Sequence, residues 1–246
     1  MEYLPLVNKL LFILTTSVAI WIFFIATKRS FIGLLMVLAW LLFQAIISIK
    51  GFYVNGSLMS PRVMLLILPP MVLIVILLVS PRGRQYTDLL NPATLTLVHT
   101  IRIAVEIVLY GLFLEKQVPR LMTFAGGNYD ILSGLSAPII YYLAFVKKSI
   151  GKKIMLAWNL VCMTLLFSIV IHALLSVATP FQQFAFDQPN KAILEFPYCW
   201  LPSFIVPLVL CSHLVSIRYW WLKKETSQAH VSDSTLSPAK ESNYSS

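Results

Sequence analysis

The stretch His99–Asp130, HTIRIAVEIVLYGLFLEKQVPRLMTFAGGNYD, decides the fold class. It begins as an apolar run of helix-spanning length that holds His99, Arg102 and Glu106, and it then leaves through a polar loop. At about 100° per residue, His99, Arg102, Glu106 and Tyr110 fall within an arc of roughly 80°. They form one polar stripe on a helix whose other faces carry Leu97, Ile101, Ile103, Val105, Val108 and Leu112. Such a helix turns its stripe toward protein or trapped water and its apolar faces toward lipid. Insertion scales put a charge at roughly +2.5 to +3.5 kcal/mol at a helix centre, which the apolar residues of the span, at a few tenths each, largely offset. Arg102 and Glu106 stand four apart and can pair on the same helix, although Arg before Glu is the weaker order. A partner on another helix is the alternative.

Outward from this stretch, the whole chain has the same character. Its 246 residues are 58% apolar and only 12% charged, where soluble domains carry about 25% charged residues. Mean hydropathy is +0.80. The formal charge of +9 sits mostly in short connections between apolar runs, where it reports membrane orientation rather than a nucleic-acid partner. Cys162, Cys199 and Cys211 lie in or beside apolar spans without a CxxC pair and read as packing residues.

The pattern predicts an all-α membrane protein, a bundle of about seven transmembrane helices over residues 1–222, with a disordered polar cytoplasmic tail over 223–246. The first span, about Leu10 to Ala26, is too long for a secretion signal and is followed by ATKRS, so it reads as a retained helix. The second, about Phe31 to Ile49, has Gln44 as its most polar interior residue, and the short Lys28-Arg29 connection makes it an antiparallel neighbour of the first. Asn55-Gly56-Ser57 in the next loop matches a glycosylation acceptor, a tripeptide common by chance. The third span, about Val63 to Val79, carries Pro69 and Pro70 near its middle and is expected to kink there. The fourth, about Thr94 to Leu114, holds the stripe.

Beyond it, Gly126-Gly127 before Asn128 and Asp130 reads as a turn, with Asp130 as a loop cap. The fifth segment, Ile131 to Val146, is short and broken by Gly134 and Pro138, so it spans thinly or re-enters. The sixth runs from about Ile154 to Val177 with Asn159 and His172 inside. A long aromatic connection, TPFQQFAFDQPNKAILEFPYC, can lie over the bundle as a lid or along the interface. The seventh, about Trp200 to Trp221, carries His213 and ends in RYWWLKK. Lys and Arg are denser in the connections that hold Lys28, Arg82, Lys147 and Arg218, which sets the N-terminus outside and the C-terminus in the cytoplasm.

The candidate binding residues are His99, Arg102, Glu106, Tyr110, Asn128, Asp130, His172 and His213. Depth along each span divides them into an inner layer of His99, Arg102 and His213 and an outer layer of Glu106, Tyr110 and His172 beneath Asn128 and Asp130. Ionisable residues inside a membrane are candidates for function by default. The first reading is a site that binds or translocates a small polar or anionic solute, with Arg102 as charge partner and Glu106 as proton carrier or counter-ion. An intramembrane enzyme using His and Glu as acid and base is a second, but HExxH, GxSxG and a phosphate-cradling loop are missing, so no reaction type is indicated and an enzyme is the less favoured reading. A structural or sensory bundle is a third. No cofactor is specified: His99 and His213 are compatible with two axial haem ligands, and the seventh span lacks the interior lysine that a retinal pigment needs. No metal set is present in the motifs. The expected partners are the lipid bilayer and the small solute.

Overall fold

In the computed structural model, residues 3–54 and 61–223 are described. The Asn55-Gly56-Ser57 tripeptide and the tail beyond Lys223 lie outside them. Among the described residues the chain is helical and contains no strand. Nine α-helices follow one another: α1 Leu4–Ala26, α2 Phe31–Ile49, α3 Met64–Val79, α4 Pro81–Asp88, α5 Pro92–Val98, α6 Ile101–Leu114, α7 Ile131–Tyr141, α8 Lys152–Leu175 and α9 Val206–Leu222. Single π-helical turns extend α7 over Tyr142–Val146 and precede α9 over Leu201–Ile205.

Five stretches are long and apolar enough to cross a membrane: α1, α2, α5 with α6, α8, and the π turn with α9. A sixth arises if α3 and α4 count as one broken span. Ile131–Val146 is a shorter apolar segment. The α5–α6 and α9 spans are each 50% buried inside the protein, against 22–28% for α1, α2 and α8. They form the centre of the bundle, and the exposed leucines, valines and isoleucines of the outer helices are the surface expected to face lipid.

Proline chemistry shapes the periphery differently from the sequence expectation. α3 stays helical through Pro69 and Pro70, and a sharp bend of 88° that hydropathy did not mark separates α3 from α4. Ser80 is extended there, its hydroxyl accepts from the Gly83 amide at 3.0 Å, and Pro81 opens the new helix. The segment PRGRQYTD, expected as loop, is therefore α4.

Pro69 has no N–H for the Leu65 carbonyl four residues back. Gln44 of α2 supplies the missing donor, Nε2 to Leu65 O at 3.3 Å, while its Oε1 accepts from the Tyr53 hydroxyl. The same device recurs at Pro207, where Trp40 of α2 donates Nε1 to the Ser203 carbonyl at 3.0 Å. Two prolines inside apolar helices are thus tolerated because one neighbouring helix re-satisfies their backbones. All three cysteines are free, Cys162 and Cys199 within the packed interior.

The two ends of the bundle differ in charge. The Asn91 amide donates to Ala26 O, Arg218 pairs with Asp88 at 3.1 Å, and Lys152 donates to the Trp221 carbonyl at 2.9 Å. These contacts gather Lys28, Arg29, Arg82, Arg84, Lys147, Lys148, Lys152, Lys153, Arg218 and Lys223 at one end, with Asp88 as the acidic residue there among the described residues. At the other end the aromatic connection folds back onto the bundle. Gln188 donates to the carbonyls of Phe113 and Val118, and the Lys191 amide to Gln117 O.

Candidate functional site

The site is built on the junction of α5 and α6. At His99 and Thr100 the helix tightens: His99 N bonds Thr96 O at 3.4 Å, Thr100 N bonds Leu97 O at 3.1 Å, and Arg102 N bonds His99 O at 3.1 Å. Side chains three apart eclipse in such a turn. His99 and Arg102 therefore project together, and both meet His213 of α9. The His99 and His213 rings stack with centroids 3.9 Å apart and planes 20° from parallel, and Trp158 of α8 packs edge-on against His99 at 5.5 Å.

Arg102 is 2% exposed and fully engaged. Nε donates to Asp130 Oδ2 at 2.7 Å, Nη2 donates to Asp130 Oδ1 and to the Cys162 carbonyl at 3.3 Å, and Nη1 lies 3.2 Å from His213 Nε2. Since a guanidinium has no acceptor, His213 Nε2 accepts from it. The ring's proton then sits on Nδ1 and is donated to Asn159 Oδ1 at 3.0 Å. Asn159 passes the pattern on, donating Nδ2 to Met155 O at 2.8 Å and Ser216 Oγ at 3.1 Å. A single donor direction runs from Arg102 through His213 to Asn159 and fixes the tautomer.

The partner of Arg102 is thus Asp130, not Glu106. Asp130, read from the sequence as a loop cap, stands at the start of α7, and its carboxylate makes no capping hydrogen bond there. The fork of a guanidinium matches a carboxylate two-to-two, and this match outweighs a cap. Asn128 takes the turn role instead: its Oδ1 accepts from the Asp130 amide at 3.0 Å. Gly127, in the left-handed region at φ 96°, turns the chain into that geometry. Gly134 lets α7 approach, since a Cβ there would stand 2.8 Å from Ile103 Cγ1 and 3.0 Å from its nitrogen.

Glu106 is 1% exposed. Its Oε1 accepts from Asn128 Nδ2 at 2.5 Å, while Oε2 is buried without a hydrogen-bond partner among the described residues. The same holds for both ring nitrogens of His99. No histidine contacts Glu106 among those residues; its partner is Asn128.

Of the eight candidates, six come together: His99, Arg102, Asp130 and His213 in one network, and Glu106 and Asn128 beside it. Two do not. Tyr110 is half-buried and stacks on Phe124 at 4.9 Å, and His172 donates Nδ1 to its own helix, at Ser168 O, 2.8 Å. Asn159 and Cys162 enter the network unforeseen; Asn159 was visible as an amide inside an apolar span. Nor do the histidines suit a haem, because stacked rings 3.9 Å apart leave no room for an iron between their nitrogens. Among the described residues no cluster of His, Cys, Asp and Glu has the geometry of a metal site.

Beside this network lies a cavity of about 140 Å³ between α3, α6, α8 and the π turn before α9. Its walls are apolar, among them Ile67, Met71, Leu166, Val170, Ile205 and Val209, and its polar lining is Arg102, Glu106 and Asp130. Ile193 of the aromatic connection also borders it, so that connection does cover part of the bundle. Residues 60–221 match a protein family described as Domain of unknown function (DUF8737), a stretch that includes every residue of the network and the cavity. No curated protein and no solved structure matches the chain.

Proposed function

The chain belongs to that family, whose description names no activity, and we propose a function from the site itself: a multi-pass membrane protein that binds, or carries across the bilayer, a small solute at Glu106 beside the Arg102–Asp130 pair. Counting α3 with α4 and Ile131–Val146 as crossings gives seven helices. The basic end then faces the cytoplasm with the C-terminus, and the N-terminus lies outside.

The observation that carries the reading is a cavity lined in part by Glu106, one of whose carboxyl oxygens is buried without a hydrogen-bond partner among the described residues. A polar group kept only to hold helices together is expected to find its partners within the protein. Among the described residues Glu106 finds one for Oε1 and none for Oε2. Arg102, by contrast, is matched by Asp130, so the solute contact falls to Glu106 rather than to the arginine.

The test is thermal unfolding in lipid nanodiscs with a panel of small solutes, wild type beside Glu106→Gln. A subset of solutes is expected to raise the wild-type midpoint and to leave the variant unmoved. Identical responses in the two proteins would remove Glu106 from any binding role.

A further inference from the structure

Building on the reading that this site takes a solute, we infer that the solute is an amphiphile with a compact apolar body and a hydrogen-bond-donating, cationic head, arriving from within the bilayer. The size of the cavity, about 140 Å³, is close to that of an engineered apolar cavity of about 150 Å³ that stays dry and binds benzene. Its walls of Ile67, Met71, Leu166, Val170, Ile205 and Val209 suit a ring or a short branched chain.

The head is defined by what the polar wall lacks. All three guanidinium nitrogens of Arg102 have partners. With Glu106 ionised, the polar lining carries one cation, Arg102, and two carboxylates, Asp130 and Glu106, so an anionic head would face like charge. Glu106 Oε2 accepts nothing from the described residues. A donor fills that need, and a protonated amine also balances the charge.

The route is defined by the mouth. Phe167 and Leu174 of α8 border the cavity and are 45% and 41% exposed on the apolar outer face of that helix. A molecule entering between α3 and α8 therefore comes from the lipid side, which selects for an apolar body.

Four probes sharing one ring separate the terms: benzylamine, benzyl alcohol, toluene and benzoate. Ligand-observed NMR on the full chain in nanodiscs reads their affinities, with Val170→Trp, which fills the cavity from its half-exposed rim, correcting for partition into lipid. Benzylamine is expected to bind most tightly, benzyl alcohol next and toluene weakly, with no benzoate signal above Val170→Trp. Glu106→Gln is expected to weaken benzylamine about 10- to 100-fold, the change that follows from losing a hydrogen bond to a charged group, and to leave toluene unchanged. If benzoate binds best, or if Glu106→Gln leaves benzylamine untouched, the donor head is wrong while a solute site in the cavity stands. If no probe distinguishes wild type from Val170→Trp, the cavity takes no solute and the proposed function falls with it.

Discussion

Two of the polar clusters among the described residues are finished to different degrees. Around α2, Gln44 uses both ends of its amide, one on the Leu65 carbonyl and one on the Tyr53 hydroxyl, and Trp40 closes the Ser203 carbonyl. Two of these contacts repair a backbone that a proline had opened. Around α6, Arg102 is equally complete, yet Glu106 Oε2 and both nitrogens of His99 are left over. Buried polar groups are costly when unpaired. Completeness suits the first cluster to holding helices together, and the proposed ligand position lies where the second is incomplete.

The comparison is broken most severely at the ion pair that borders the site. Arg102→Met leaves Asp130 as an uncompensated buried carboxylate and is expected to lower stability by about 3–5 kcal/mol, the usual penalty for losing one partner of a buried pair. Adding Asp130→Asn to the same chain is expected to recover a large part of it, because the two residues share one interaction. Unfolding midpoints of the single and double variants check this; equal losses would mean that the pair contributes little.

A smaller loss is expected at the approach of α7. Gly134→Val places atoms against Ile103, where even a Cβ stands at 2.8 Å, and overpacking of this kind costs about 1–3 kcal/mol. Because α7 carries Asp130 at its start, the variant is also expected to blunt the response to benzylamine.

Gln44→Leu sharpens the contrast from the other side. It strands the Leu65 carbonyl and the Tyr53 hydroxyl and is expected to cost about 1–3 kcal/mol, with ligand affinity unchanged at temperatures where the protein stays folded. A loss of ligand affinity in that variant would show that the two clusters are coupled. The smallest effect is expected at the basic end, where Arg218→Ala removes a partly exposed pair with Asp88. That change is expected to stay below about 1 kcal/mol and to vanish in high salt.

The helices were readable from hydropathy because lipid-facing surfaces must be apolar whatever the packing. α2 keeps its expected limits, Phe31–Ile49, and the polar stripe lies inside the half-buried central span. The partners were not readable. A uniform 100° per residue misplaces His99 relative to Arg102, since the turn between them is tightened. The pairing of Arg102 with Asp130 joins residues 28 apart through a loop whose path no periodicity records. Tyr110 shares the stripe's face but turns to Phe124, and His172 shares only its depth, which says nothing about which way a side chain faces. The role of Gln44 had a usable signal: Pro69 frees a carbonyl four residues earlier, and an amide on a neighbouring span is a natural donor for it.

The central claim is that the open acceptor of Glu106 is a ligand position, and native mass spectrometry of protein released gently from its own membrane tests it most directly. Glu106→Gln is the right comparison because the new amide keeps an oxygen for Asn128 and changes only the free atom. A small co-purifying molecule is expected on the wild-type chain and is expected to be depleted on Glu106→Gln. Identical spectra for the two proteins would contradict it.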